Sequence, residues 1–248
     1  MLQSLVENLR FEQDTTTAKQ DRSIATIQGI INQAIPLFAQ NGYESTSTHA
    51  IAAAAGVNQG LIAYHFGSKE NLWKAAIDHA VGTFRNRLCD EALSISANDF
   101  EAYFKLILGF YVKWASESQD VTRILIELNK SDNELRRWYV ERHIRPIYQF
   151  LVHLIVEGQR LGFIREHPPE SIYYLLITSN MVFTLSREAK QLAGIRIDSP
   201  DYIASQSAML FDMLWKPEAT VVNKPLTCRD SSDHRSLEND LGFRGSAA

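Results

Sequence analysis

The sequence predicts an all-α fold: an N-terminal three-helix domain carrying a helix-turn-helix, followed by a larger helical domain. Three observations lead there. Apolar residues recur at helical spacing along most of the 248 residues, strand signals are nearly absent, and residues 46–73 read as two short helices, a tight turn between them and a third helix starting behind.

The elements follow in order. Residues 1–21 form a polar arm, with a short apolar patch at Leu2, Leu5, Val6 and Leu9 that suits a fraying helix. Ile24, Ile27, Ile31, Ala34 and Phe38 then mark an amphipathic helix over 23–41 that closes at Gly42. Pro36 lies inside it; it removes a backbone donor and clashes with the Asn32 carbonyl, at a cost of about 3 kcal/mol in a regular helix, so a kink is expected there. Thr46 or Ser47 caps the next helix, with Ile51 and Ala54 on its inner face. Gly56 makes the turn, because glycine alone takes positive φ without steric cost, and Asn58 caps the second helix of the motif. There Val57, Leu61 and Ile62 face inward. Ser68 starts a longer helix through Leu72, Ala76, His79, Ala80 and Phe84 to about Leu93.

The remainder continues in helices: 100–116, 121–129, 133–159 with Pro146 inside, 170–192 opened by Pro168-Pro169, and 200–214. The short connection 194–198 makes the last two antiparallel. The expected domains are the arm 1–21, a head 22–82 with its motif at 47–66, a helical body 83–216, and a polar tail 217–248 too poor in apolar residues to offset its ordering entropy, and so mobile.

Composition narrows the function. The formal charge of −4 argues against nonspecific coating of nucleic acid, and no apolar run approaches the ~20 residues that cross a bilayer. No leader-like apolar segment opens the chain, so a cytoplasmic location and no membrane partner are expected. Cys89 and Cys228 are too few and too far apart for a disulfide framework or thiolate metal site. The seven histidines fall in no metal-ligand spacing, no glycine-rich loop follows a strand, and no Ser/His/Asp set assembles. The expectation is a non-enzyme with neither metal nor cofactor.

The stretch Leu37-Phe38-Ala39-Gln40-Asn41-Gly42-Tyr43, then Thr46-Ser47-Thr48-His49-Ala50-Ile51-Ala52, Ala55-Gly56-Val57-Asn58-Gln59-Gly60, Tyr64-His65-Phe66 and Ser68-Lys69-Glu70-Asn71-Leu72 resembles the DNA-binding domain of the TetR family of bacterial transcriptional regulators, across Arg22 to His79. The sequence departs from that family in having Ala63 where Tyr is frequent, Leu61 where Thr or Ser is frequent, and His49 near a frequent Arg.

The resemblance implies a homodimeric regulator, most simply a repressor, that binds a pseudo-palindromic DNA operator and is released by a small-molecule effector bound in the body. It implies a dimer interface at about 170–192 and 200–215. Thr46, Ser47, Thr48, His49, Asn58, Gln59, Gly60, Ala63, Tyr64, His65 and Lys69 would lie at DNA. Gln59 and His49 are the candidate base readers, since Gln bonds adenine bidentately and His donates to guanine; Tyr64, His65, Lys69 and the Thr46 or Ser47 hydroxyl are candidate phosphate contacts. Trp114, Tyr148 and Asn180, all mid-helix, are the candidate effector contacts. Between Arg22 and Glu70 the cations Arg22 and Lys69 only balance Glu44 and Glu70, so DNA affinity rests on placement and its salt dependence is shallow. The other reading of the same residues is a helical dimer that has lost DNA and serves as a protein-interaction or ligand-sequestering module.

Overall fold

The computed structural model describes residues 2–11, 21–95, 99–130 and 132–216. The rest of the arm and the tail 217–248 lie outside the described residues. Helices run as α1 (Leu2–Leu9), α2 (Asp21–Ser45), α3 (Thr48–Ala54), α4 (Gln59–Phe66), α5 (Lys69–Leu93), α6 (Phe100–Glu117), α7 (Gln119–Leu128), α8 (Glu134–Tyr139), α9 (Arg145–Arg160), α10 (Pro169–Ser179), α11 (Ser186–Ala193) and α12 (Pro200–Leu214). An isolated bridge between Ile164 and Trp215 holds the loop after α9 against the end of α12.

Two apolar cores share α5. Its first half sends Leu72, Trp73, Ile77 and Val81 into a head core with Ile30, Ala34 and Phe38 of α2, Ile51 and Ala52 of α3, and Ile62 of α4. Its second half sends Phe84, Leu88, Cys89 and Ala92 into the body core between α6, α9, α10 and α12. The head core also takes in Val121, Ile124 and Leu128 of α7 and Leu135 and Tyr139 of α8, so head and body meet in continuous apolar packing. Each such side chain contributes roughly 1.5–3 kcal/mol by leaving water.

Three sequence expectations are corrected. The backbone of α2 leaves helical dihedrals at Gly42 (φ 77, ψ 167), not at Pro36. The helix expected over 133–159 is interrupted by a π turn, Val140–Ile144, just ahead of Pro146. Proline cannot donate to the carbonyl four residues earlier, here that of Arg142, and the wider turn absorbs the mismatch. The helix expected over 170–192 passes through a 3-10 segment, Asn180–Leu185. Around it the hydroxyls of Thr178, Ser179 and Thr184 bond back to the carbonyls of Tyr174, Leu176 and Met181 (2.7–2.8 Å), the local competition that bends helices.

The arm differs most. Val6, Leu9 and Phe11 are buried against α5 and α9, so the described part of the arm belongs to the body and not to a free segment near DNA. Arg85, 4% exposed, donates to the carbonyls of Leu9 (2.7 Å) and Arg142 (3.1 Å). Asn86 exchanges two hydrogen bonds with the Phe11 backbone. Phe11 sits so close to α5 that a Cβ on Gly82 would lie 2.4 Å from its ring.

Beside this strap, Asp78 of α5 accepts from Arg142 (2.7 and 3.1 Å) and from Nε2 of the fully buried His143 (2.8 Å). Burial works to raise the Asp78 carboxyl, but the bonds from His143 and Arg142 overcome it and hold the group below its ordinary value. Burial lowers the His143 imidazole despite Asp78, and its Nδ1 is buried without a partner, so the ring is neutral. Both shifts have one sign: the unfolded chain binds more protons than the folded one. Stability therefore decreases as pH falls from 7 through the ordinary histidine range near 6.5, and again through the acidic carboxylate range. Urea midpoints measured between pH 7.5 and 5 should fall, and His143→Gln should flatten the limb near pH 6; a midpoint independent of pH there would contradict the buried neutral ring.

Candidate DNA-binding face and effector region

The motif is built as the sequence requires. Ser47 accepts from the Ala50 N–H (3.1 Å) and caps α3; Asn58 accepts from the Gly60 N–H (2.7 Å) and caps α4; Ser68 accepts from the Asn71 N–H (3.0 Å) and caps α5. Gly56 takes φ 65 in the turn between α3 and α4, and Val57 N–H closes it on the Ala52 carbonyl (3.0 Å). A side chain at position 60 would meet Asn58 Oδ1 at 3.1 Å, so Gly60 leaves room for the cap.

Inner and outer faces differ in part from the sequence reading. Ile51, Ala52 and Ile62 are the buried anchors, whereas Ala54 and Leu61 are exposed. Outward lie Ser47, His49, Asn58, Gln59, Gly60, Ala63 and Tyr64, the last 81% exposed. His65 is half-buried, edge-on to Tyr64 (4.9 Å between ring centroids) and to Phe66 (6.4 Å). Thr48 is half-buried and accepts from Gln59 Nε2 (3.2 Å). That bond orients Gln59 while sparing its amide oxygen and second N–H, the pair that adenine requires.

Two expected DNA contacts are corrected. Thr46 is 2% exposed, and its hydroxyl faces the carbonyls of Gly42 (2.7 Å) and Leu37 (3.1 Å), closing the break in α2. It has no surface to offer a phosphate. Lys69 donates to the carbonyls of Tyr43 (3.0 Å) and Glu44 (3.1 Å) and lies over the Tyr43 ring (4.4 Å to its centroid). Its ammonium neutralises the negative end of α2, so its first role is to lock α2 to α5.

The three candidate effector contacts do not form one cluster. Trp114 packs on Phe84 (4.6 Å) and Tyr111 (6.3 Å) and lines a cleft between head and body. Tyr148 stands edge-on to Tyr173 (4.9 Å). Asn180, at the start of the 3-10 segment, is 3% exposed, and neither its amide nitrogen nor its oxygen has a hydrogen-bond partner. The Tyr111 phenol interacts with the Asn180 side chain, but no hydrogen bond of good geometry closes between them. Burial raises the phenols of Tyr111, Tyr139 and Tyr173, that of Tyr173 to about 12, so all three are neutral donors in this interior. Sequence reasoning missed Tyr111 as a companion of Asn180, because it sits on α6, far away in the chain.

The cleft has a volume of about 660 Å³ and is walled by Asn32, Ile35 and Pro36 of α2, by α5 from His79 to Arg87, and by the turn from α6 into α7. Among the described residues no group of His, Cys, Asp and Glu side chains is arranged to hold a metal ion, and no helix is long and apolar enough to cross a membrane.

Comparison with known proteins agrees with this architecture. Residues 30–76 match the profile described as bacterial regulatory proteins, tetR family. The chain is 27% identical over 137 residues to the fatty acid metabolism regulator protein of Bacillus subtilis (strain 168), covering 55% of this chain and 70% of that protein. It is 24% identical over 206 residues to the HTH-type transcriptional repressor NicS of Pseudomonas putida, covering 79% of this chain and 92% of that one. Among solved structures, AibR in complex with isovaleryl coenzyme A and operator DNA superposes with a TM-score of 0.62 at 19% identity, over 77% of this chain and 98% of that chain. With its capped helix-turn-helix and its shared connecting helix, the chain carries, over residues 30–76, the domain of bacterial regulatory proteins of the tetR family.

Proposed function

We propose that this protein is a homodimeric transcriptional repressor that grips a pseudo-palindromic operator with α3 and α4 and leaves it when a small molecule occupies the helical body. The observation that carries this reading is the outward face of α4. Gln59, Gly60, Ala63 and Tyr64 stand exposed on a short helix held from behind by Ile62, in the segment that matches the family. Residues 22–82 are assigned to DNA binding and 83–216 to effector binding and dimerisation.

Dimerisation is supported by the apolar side chains that α10 to α12 leave in water: Tyr174 (61% exposed), Leu185 (49%), Met209 (46%) and Met213 (49%) on one chain are more than a monomer keeps without use. A two-fold pair would set the two α4 helices about one DNA turn apart. For the effector, AibR was solved with an acyl thioester and operator DNA. A ligand with an apolar body and a carbonyl or hydroxyl suits Asn180 and Tyr111, since the buried amide is otherwise unpaired. Release requires that this ligand bind the DNA-incompetent arrangement more tightly than the other.

Selection from random double-stranded fragments tests the main claim: a pseudo-palindrome with half-sites about one turn apart is expected, and failure to enrich any palindrome would return the protein to the DNA-free module. Gln59→Ala should relax preference at one base pair per half-site by about 1–3 kcal/mol. Lys69→Met should instead lower the unfolding midpoint of the protein and weaken all operators alike; unchanged stability would show its two carbonyl bonds to be unimportant. Asn180→Leu should raise stability by about 1–3 kcal/mol, by removing two unpaired buried groups. A loss of stability in that variant would mean the amide is satisfied within the fold and is not an effector contact.

A further inference from the structure

The cleft between head and body is open enough to take a ligand, and Asn180 is not among the residues that line it. Its floor is aromatic: Phe84, Phe110 and Trp114 come together there, with Phe84–Phe110 ring centroids 5.5 Å apart and Phe84–Trp114 4.6 Å apart. The lining charge is unbalanced, with Arg87, Lys113 and Arg123 against Glu117 and Asp120. Asp120 is engaged by Arg123 (2.8 Å), so Arg87 and Lys113 face Glu117 as the remaining carboxylate of the lining. Burial lowers the His79 imidazole at the inner end, which keeps it neutral and adds no charge of its own. Arg87 lies over the Phe110 ring (5.7 Å to its centroid), placing a guanidinium beside an apolar surface.

We propose that this cleft binds a small amphipathic anion, its flat or aliphatic body on the aromatic floor and its carboxylate or phosphate against Lys113 and Arg87. The volume, about 660 Å³, is that of a small-molecule site. Cationic groups next to aromatic faces suit such a ligand, because the body is removed from water while the charge stays at a cationic rim. The walls come from both parts of the molecule: Ile35 and Pro36 belong to the head, Lys113 and Trp114 to the body. An occupant therefore touches both and stabilises one spacing between them, which links the site to operator affinity. The binding claim goes beyond the repressor reading; only the link to operator affinity rests on it.

Calorimetric titration of the full-length protein with 1-naphthoate, 1-naphthyl phosphate and neutral 1-naphthol, without DNA, tests the site. At least one of the two anions should bind once per chain and at least tenfold more tightly than the naphthol, and which of them does so tells a carboxylate site from a phosphate site. Lys113→Glu and Arg87→Glu, both at exposed positions, should each weaken that anion at least tenfold and leave the naphthol unchanged, while Asn180→Leu should leave all three unchanged. Naphthol binding as tightly as either anion, charge reversals without effect, or loss of binding in Asn180→Leu would overturn the site. With the anion saturating, operator affinity should shift at least threefold in the wild type and not in Lys113→Glu. An unchanged operator affinity despite anion binding would overturn the link alone, and failure to bind any operator would overturn the repressor reading while leaving the DNA-free titration intact.

Discussion

The arrangement of head and body depends on one buried cation meeting a carbonyl that proline has set free. Pro146 cannot donate to the Arg142 carbonyl, and the π turn before it leaves that oxygen facing α5. Arg85 takes it, together with the carbonyl of Leu9. A buried guanidinium is costly unless its protons are satisfied, so this geometry is far more restrictive than apolar packing. It constrains the rotation of α5 about its own axis, and α5 in turn serves the head core with its first half and the body core with its second.

That rotation sets which side chains the motif exposes. With α5 oriented by Arg85, and by Asp78 against Arg142 and His143, Leu72 and Trp73 point into the head, and Lys69 reaches the end of α2. The recognition helix inherits its position from these contacts, because Ile62 packs on the same core. α5, a helix of 25 residues, thus joins the body core to the packing that seats α4.

Much of this was legible in the sequence. The caps at Ser47, Asn58 and Ser68 and the turn at Gly56 are local properties, and local physics predicts them, whereas of the inward positions expected at Val57, Leu61 and Ile62 only Ile62 is buried. What was not legible depends on contacts that form only where the chain breaks or folds back on itself. Thr46 looked like a surface hydroxyl because the carbonyls of Leu37 and Gly42 that accept from it are placed by the break in α2. Lys69 looked like a phosphate contact because its true acceptors lie 25 and 26 residues away. The apolar patch of the arm was visible at Val6 and Leu9, but its burial, with that of Phe11, needs a surface formed only when α5 and α9 come together. Breaks at Pro146 and Asn180 were invisible to periodicity, since apolar spacing survives a π turn or a 3-10 segment with little change.

The inward commitment of Lys69 reaches beyond the fold of the head. Residues 23–68 contain neither lysine nor arginine, so once Lys69 is spent on α2 the proposed DNA face carries almost no positive charge. Fewer cations on that face release fewer counterions from a phosphate backbone, so the head adds little affinity for DNA of arbitrary sequence. Genes under its control would then respond to the concentration of the regulator itself, with little buffering by the bulk genome.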